Sequence, residues 1–130
     1  KYSTIVDLDV TCPLRDVQDI RGAVALLETA RVGSVITGCR ARRVPHFNLV
    51  KLTERGTVEL AAAKPVGEPP RYYDLNAAVL VWERDRFMED PVELYGDTRI
   101  FEMPPSRSWD IDTPDDLSYV EFLLSKQISG

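Results

Sequence analysis

Basic charge, cysteine and long apolar runs are all scarce in this 130-residue sequence. Lysine and arginine total 16 against 21 aspartates and glutamates, a formal net charge of −5. Nucleic-acid grooves need a basic surface to displace the counterions of phosphate, so this balance argues against a nucleic-acid partner. No apolar stretch approaches the roughly 20 residues of a membrane span, and no signal-peptide pattern opens the chain. The two cysteines, Cys12 and Cys39, lie far apart and follow no zinc or redox spacing. A reduced, cytoplasmic protein is the expectation. What is present is ordinary for a globular domain: 44% hydrophobic and 28% charged residues, in a length that fits one domain with a real core. The first residue is Lys1, not methionine, and a strand-like run follows at once. The expectation is a processed or truncated piece of something longer.

Along the chain, "TIVDLDV" (Thr4 to Val10) predicts a strand, with Val6, Leu8 and Val10 on one face and Ile5, Asp7 and Asp9 on the other. "TCPLR" reads as a turn, because Pro13 disfavours helix at Cys12. Asp16 can cap a helix with Asp19 three positions on, and Val17, Ile20, Val24 and Leu27 fall at helical spacing. Gly33 stands just past that helix, where a left-handed residue is easiest. "SVITGC" (Ser34 to Cys39) makes a second strand, so the opening is a β–α–β unit, which favours parallel neighbours.

The middle has three strand-length apolar pieces broken by Pro45, Gly56, Pro65, Pro69 and Pro70. "HFNLVKL" and "TVEL" across "TERG" predict a hairpin in an excursion long enough to have a job, such as a lid or a dimer arm. "NAAVLVWE" (Asn76 to Glu83) returns to the core, followed by a short helix over Arg84 to Met88 and a strand near Arg99 to Met103. A last helix starts at Thr113, with Pro114 in its first turn and Asp116 as a capping-box acid. Leu117, Val120, Leu124 and Ile128 supply its apolar stripe.

The stretch "SWDIDTPDDL" (Ser108 to Leu117) holds four aspartates in ten residues. Asp115 and Asp116 suit a helix start, where the dipole favours each acid by about 0.3–1 kcal/mol. Asp110 and Asp112 precede the cap. In an extended segment they share a face opposite Trp109 and Ile111, an arrangement able to clamp a magnesium ion. Asp7 and Asp9 alternate in the same way; Asp9, nearer the strand's carboxyl end, is the better site candidate, with a solvated strand end or a cap on the following turn as the other readings. Among the rest, His46 reads as structural or interfacial, the cluster Arg40, Arg42, Arg43 as a solvated hairpin edge, and Tyr72, Tyr73 and Asn76 as turn and strand packing.

Three pieces in order carry a resemblance. "LDVTCPLRDVQDI" is similar to the "LQPTSPLR" strand–turn–helix start of the N-acylneuraminate cytidylyltransferases, the CMP-sialic acid synthetases. "YDLNAAVLVWERD" resembles their "NGAIYVF" strand, and more closely the "YDMNASIYVF" of bacterial relatives that activate sialic-acid-like nonulosonates. "SWDIDTPDDLSYVEFLL" resembles their "SIDIDTPEDF" ending, and "VPHFNLVKL" their "HPYWMLKL". The resemblance covers about residues 4–125.

It implies a Rossmann-like α/β nucleotidyltransferase fold, with a mixed, mostly parallel sheet flanked by helices and a β-hairpin dimerisation arm over residues 40–75. Residues 1–130 would be the C-terminal portion of a single such domain. The family's Arg/Gly/Ser/Lys-rich nucleotide loop would precede Lys1, so the piece alone is expected to be inactive. The implied reaction is attack of the anomeric hydroxyl of an acidic nine-carbon sugar on the α-phosphate of CTP, with magnesium as cofactor and a homodimer as the working form. By position, Asp110 and Asp112 match the family's metal-binding aspartates, Asp9 falls where a sugar-binding glutamine is usual, and Asn76 matches the asparagine at the sugar pocket, beside Tyr73. The arginines that usually precede the "NGAIY" strand have no direct match; Lys64 and Arg71 are the candidates to grip the sugar carboxylate. The alternatives are a non-catalytic dimerisation or sugar-binding module on the same scaffold, and a nucleotidyltransferase for another nucleotide or sugar.

Overall fold

A computed structural model describes residues 1–129. Residues Arg40–Asp74 form one compact unit, and Lys1–Cys39 with the chain from Leu75 onward form the other.

The larger unit is built on a four-stranded sheet in the order β1-β5-β2-β6, from β1 (Thr4–Asp7), β2 (Ser34–Arg40), β5 (Tyr73–Glu83) and β6 (Arg99–Glu102). β6 lies parallel to β2, and β1 lies antiparallel to β5. The Glu83 N–H donates to the Gly33 carbonyl at 3.0 Å while Thr37 meets Val79, so β5 also runs against β2. β1 and β2 therefore point the same way, as a β–α–β unit should, but β5 is inserted between them. That corrects the expectation of parallel neighbours. It is a mixed α/β sheet in which three of four strands agree in direction, although two of its three pairings are antiparallel.

The central strands carry the core. Val35, Ala78, Val79, Val81 and Met103 are fully buried and meet Ala23 and Leu27 of helix α1 (Val17–Ala30). α1 starts at the capping box read from the sequence: Asp16 accepts from the Gln18 and Asp19 amides, and Asp19 accepts from the Asp16 amide. Its end departs from the expectation. Arg31, not Gly33, takes the left-handed conformation, at φ 54°. Gly33 instead lies close under the Arg86 side chain: a Cβ there would fall 2.6 Å from its guanidinium carbon, so that side chain would have to shift.

β1 also differs from its expected form. It stops at Asp7, so Val10 (84% exposed) falls in the following turn, and Val6 (40%) is on a face that is only partly covered. After β5 come helix α2 (Arg84–Glu89), β6, a single 3-10 turn (Pro105–Arg107) and helix α3 (Pro114–Ser129). The Asp116 amide donates to the Thr113 hydroxyl and the Thr113 amide donates to Asp116, completing the second capping box. Only Val120 of the expected α3 stripe is buried; Leu117, Leu124 and Ile128 are exposed. Among the described residues no helix is long and apolar enough to cross a membrane.

The smaller unit contains the predicted hairpin, β3 (Val50–Leu52) paired with β4 (Val58–Leu60). Gly56 turns the chain between them at φ 77°, a conformation costly for any residue with a Cβ. The third apolar piece of the excursion forms no strand.

Candidate functional site

Two loops of the larger unit come together at the mouth of the sheet. One is residues 9–15, after β1; the other is 107–112, between the 3-10 turn and α3. The Ile111 amide donates to the Thr11 carbonyl at 2.8 Å, and the Cys12 thiol lies 3.8 Å from the Arg107 carbonyl. Arg15 folds back along the first loop, donating to the carbonyls of Asp9 and Cys12. β1 has already ended at Asp7, so the carbonyls of Asp9 and Cys12 have no strand partner and the guanidinium supplies one.

Asp110 sits where the loops meet. Its Oδ1 is buried and has no hydrogen-bond partner. A buried carboxylate oxygen without a partner is costly, and a cation is the ligand that satisfies it best. Its negative charge is felt by Cys12, whose thiol is pushed up to about 11, chiefly by burial and then by Asp110. Cys12 is thus a neutral, inert thiol at neutral pH. Asp112 is exposed, and its backbone amide donates to Asp116 at 3.1 Å. That bond and two from Thr113 hold Asp116 below the ordinary carboxylate range, the Thr113 hydroxyl contributing most. Among the described residues no three His, Cys, Asp or Glu side chains cluster at metal-binding distances, so the protein offers one or two carboxylates and not a closed cage. A small hard cation that keeps waters and substrate oxygens fits such an open set.

Asp9 is half-buried, with Oδ1 accepting from both the amide and the hydroxyl of Thr11 at 2.9 Å. The amide bond first, then the hydroxyl, holds its pKa below the ordinary value. Asn76 is 3% exposed. Its Oδ1 accepts from the Thr37 hydroxyl (2.7 Å) and the Ala78 amide (3.0 Å), and its Nδ2 donates to the Ser108 hydroxyl (3.0 Å) and toward Met103 Sδ (3.5 Å). The bond to Ala78 spans Ala77, which is forced to φ 51° inside β5. Asn76 thus stabilises a bulge and ties β5 to the segment that leads into Asp110.

Sequence reasoning missed Arg107. Its guanidinium makes a bidentate pair with Asp19, Nε to Oδ2 at 2.9 Å and Nη2 to Oδ1 at 2.8 Å. The Asp19 carboxylate is almost fully buried. Burial raises its pKa, but the Arg107 hydrogen bonds, the Asp16 amide and the guanidinium charge together outweigh that and leave it lowered. The capping pattern marked Asp19, yet nothing in the local sequence pointed 88 positions on.

The other sequence candidates lie in the smaller unit. Lys64 and Arg71 line an open cleft of about 920 Å³ together with Arg40, His46 and Tyr72; Glu68 is its one acid. His46 packs on Tyr72 with ring centroids 5.6 Å apart, and its Nδ1 is buried without a partner. Tyr73 carries the Arg40 guanidinium over its ring at 5.6 Å. The cleft is lined by three cations and one carboxylate, so an anion suits it.

No protein-family model matches the chain. It is 33% identical over 126 residues to the CMP-N,N'-diacetyllegionaminic acid synthase of Campylobacter jejuni, covering 95% of this chain and 54% of that protein. It is 30% identical over 129 residues to post-translational flagellin modification protein B of Campylobacter coli, covering 98% and 55%. The chain is a homologue of bacterial nonulosonate-activating cytidylyltransferases. The resemblance drawn from the ordered motifs is borne out, and toward the bacterial branch. The chain spans about half the length of these curated relatives. The crystal structure of 4-diphosphocytidyl-2C-methyl-D-erythritol synthase from Anaerococcus prevotii superposes with a TM-score of 0.59 over 95% of this chain and 59% of that one, at 9% identity. At that identity the likeness concerns the fold alone, and it supports a nucleotidyltransferase-type α/β architecture for this homologue.

Proposed function

We propose that this chain is the acidic C-terminal portion of a CTP-dependent cytidylyltransferase domain that activates a sialic-acid-like nonulosonic acid to its CMP-sugar, with release of pyrophosphate. The observation that carries the reading is the buried, unpartnered Asp110 oxygen in a chain homologous along its length to such enzymes. Transfer at a phosphate depends on alignment and charge neutralisation more than on covalent help. Magnesium, when bound, supplies that neutralisation at the phosphate oxygens, and Asp110 with Asp112 would hold it. Asp9, with one oxygen taken by Thr11, offers the other to a sugar hydroxyl. Asn76, its amide engaged inside the protein, acts by holding the bulge and Ser108 in place. The smaller unit, taken by itself, offers Lys64 and Arg71 in a cleft whose charge suits a carboxylate, with Tyr73 steadying Arg40.

The intact protein, given CTP, magnesium and a panel of nonulosonic acids, is expected to release pyrophosphate with at least one of them. The 130-residue chain by itself is expected to release none, because no Gly-rich phosphate loop lies within it. Turnover by the chain alone, or none by the intact protein with any acidic nine-carbon sugar, removes this reading.

Residues 40–75 are, on the same proposal, the dimerisation arm. Val50 pairs with Leu60 and Leu52 with Val58 across the hairpin, so these four share one face, while Lys51 and Glu59 form an ion pair at 3.1 Å on the other. Leu52 (74%) and Val58 (65%) are largely exposed, an apolar ladder suited to a second copy. Leu52→Lys is expected to weaken self-association at least about 100-fold, since a charge buried at a symmetric interface is met twice. Sedimentation of the intact protein reads the effect; an unchanged dimer rules the hairpin out as the interface.

A further inference from the structure

The Asp19–Arg107 pair does more than a helix cap requires. Capping is complete once Asp19 Oδ2 accepts the Asp16 amide, at 2.9 Å. The two further bonds from Arg107 reach out of α1 to the turn that immediately precedes Ser108 and Asp110. That segment has three fixings in five residues. Arg107 is gripped by Asp19, Ser108 is held between Asn76 and the Pro104 carbonyl (2.9 Å), and Ile111 donates to Thr11. Asp110 lies between the second and third of them, with no hydrogen bond to its own buried oxygen. The fixings on either side set the backbone from which the Asp110 side chain springs, and with it the direction in which the buried oxygen is presented.

We infer that Arg107, clamped by Asp19, is a positioning residue that presents the Asp110 carboxylate to a divalent cation. It does not touch the cation, and its role rests on the proposal that Asp110 binds one. Residues that orient a metal ligand from behind typically change affinity about 10- to 100-fold when altered. The bidentate fork is the part that matters, because it fixes direction as well as charge, and lysine lacks it.

The test is binding of Mn²⁺ to the intact protein, followed by electron paramagnetic resonance, with thermal melting of each variant measured beside it. Asp110→Asn should lose the site. Arg107→Lys should bind about 10- to 100-fold more weakly while its folded fraction at the assay temperature stays that of the wild type. Arg86→Lys is the control: it alters another arginine–aspartate pair, Arg86 with Asp97 at 2.6 Å, and should leave Mn²⁺ binding unchanged. Equal affinity in Arg107→Lys and wild type, with Asp110→Asn still deficient, overturns the positioning role and spares the metal reading. Equal weakening in Arg86→Lys and Arg107→Lys also overturns it, since general loosening then suffices. Wild-type binding that survives Asp110→Asn, or no wild-type binding, overturns both.

Discussion

Asp110→Asn is expected to cut magnesium-dependent CMP-sugar formation by the intact protein about 10²- to 10³-fold, while leaving the fold as stable as before. The first half follows from charge: a metal held by one or two carboxylates loses much of its hold when one becomes neutral, and metal neutralisation of phosphate oxygens is worth several kcal/mol of barrier. The second half follows from Asp110's surroundings. Its buried oxygen accepts no hydrogen bond from the protein, so no bond to that atom is lost when the carboxylate is replaced. Asparagine keeps the shape and leaves the surrounding hydrogen bonds as they are. Groups kept for chemistry at the expense of stability behave in this way, whereas structural acids lose stability when neutralised. Pyrophosphate release and thermal melting of the same preparation decide between them. Full activity in Asp110→Asn, or a melting temperature lowered by many degrees, would sink the assignment.

At Arg107 stability itself is expected to fall. Arg107→Ala strands the Asp19 carboxylate, which is 2% exposed, without its partner. Breaking a buried pair by removing one member costs about 3–5 kcal/mol. Arg107 itself is 31% exposed and partly solvated, and Asp19 keeps the Asp16 amide, so the lower end, about 3 kcal/mol, is the expected loss in urea unfolding. The same pair makes a signed prediction for pH. Asp19 has a folded pKa below its unfolded value, so its contribution is fully present above about pH 4 and is lost as pH falls through the folded pKa. Wild-type stability should therefore decline on acidification below that point, and Arg107→Ala should flatten the decline. An equal acid slope in both proteins would show that the pair does not stabilise the fold.

Much of this architecture is local and was legible as such. The capping boxes at Asp16 and Thr113 involve residues three positions apart, and the hairpin turn involves "TERG" and its flanks, so residue identity along a few positions was enough. The division of "SWDIDTPDDL" is legible in the same way: Thr113 to Asp116 start a helix, and Asp110 and Asp112 are left over. The apolar faces were less legible. Val6, Leu8 and Val10 have the alternation of a half-buried strand, but alternation does not reveal where a strand stops or what packs over its face, and β1 stops at Asp7.

By itself, then, the sequence determined the order and type of the elements, the bacterial nonulosonate-type motifs and the surplus carboxylates beside the last cap. Only the tertiary structure decided that β5 runs between β1 and β2, that Arg31 and not Gly33 turns left-handed, that Asn76 spends its amide on Thr37, Ala78 and Ser108, and that Arg107 clamps Asp19 across 88 positions. The reason is the range of the forces. Capping and turn bonds are settled among neighbours in the chain, whereas strand order and buried polar pairs depend on which distant surfaces bury each other, and that choice is made by the whole core at once.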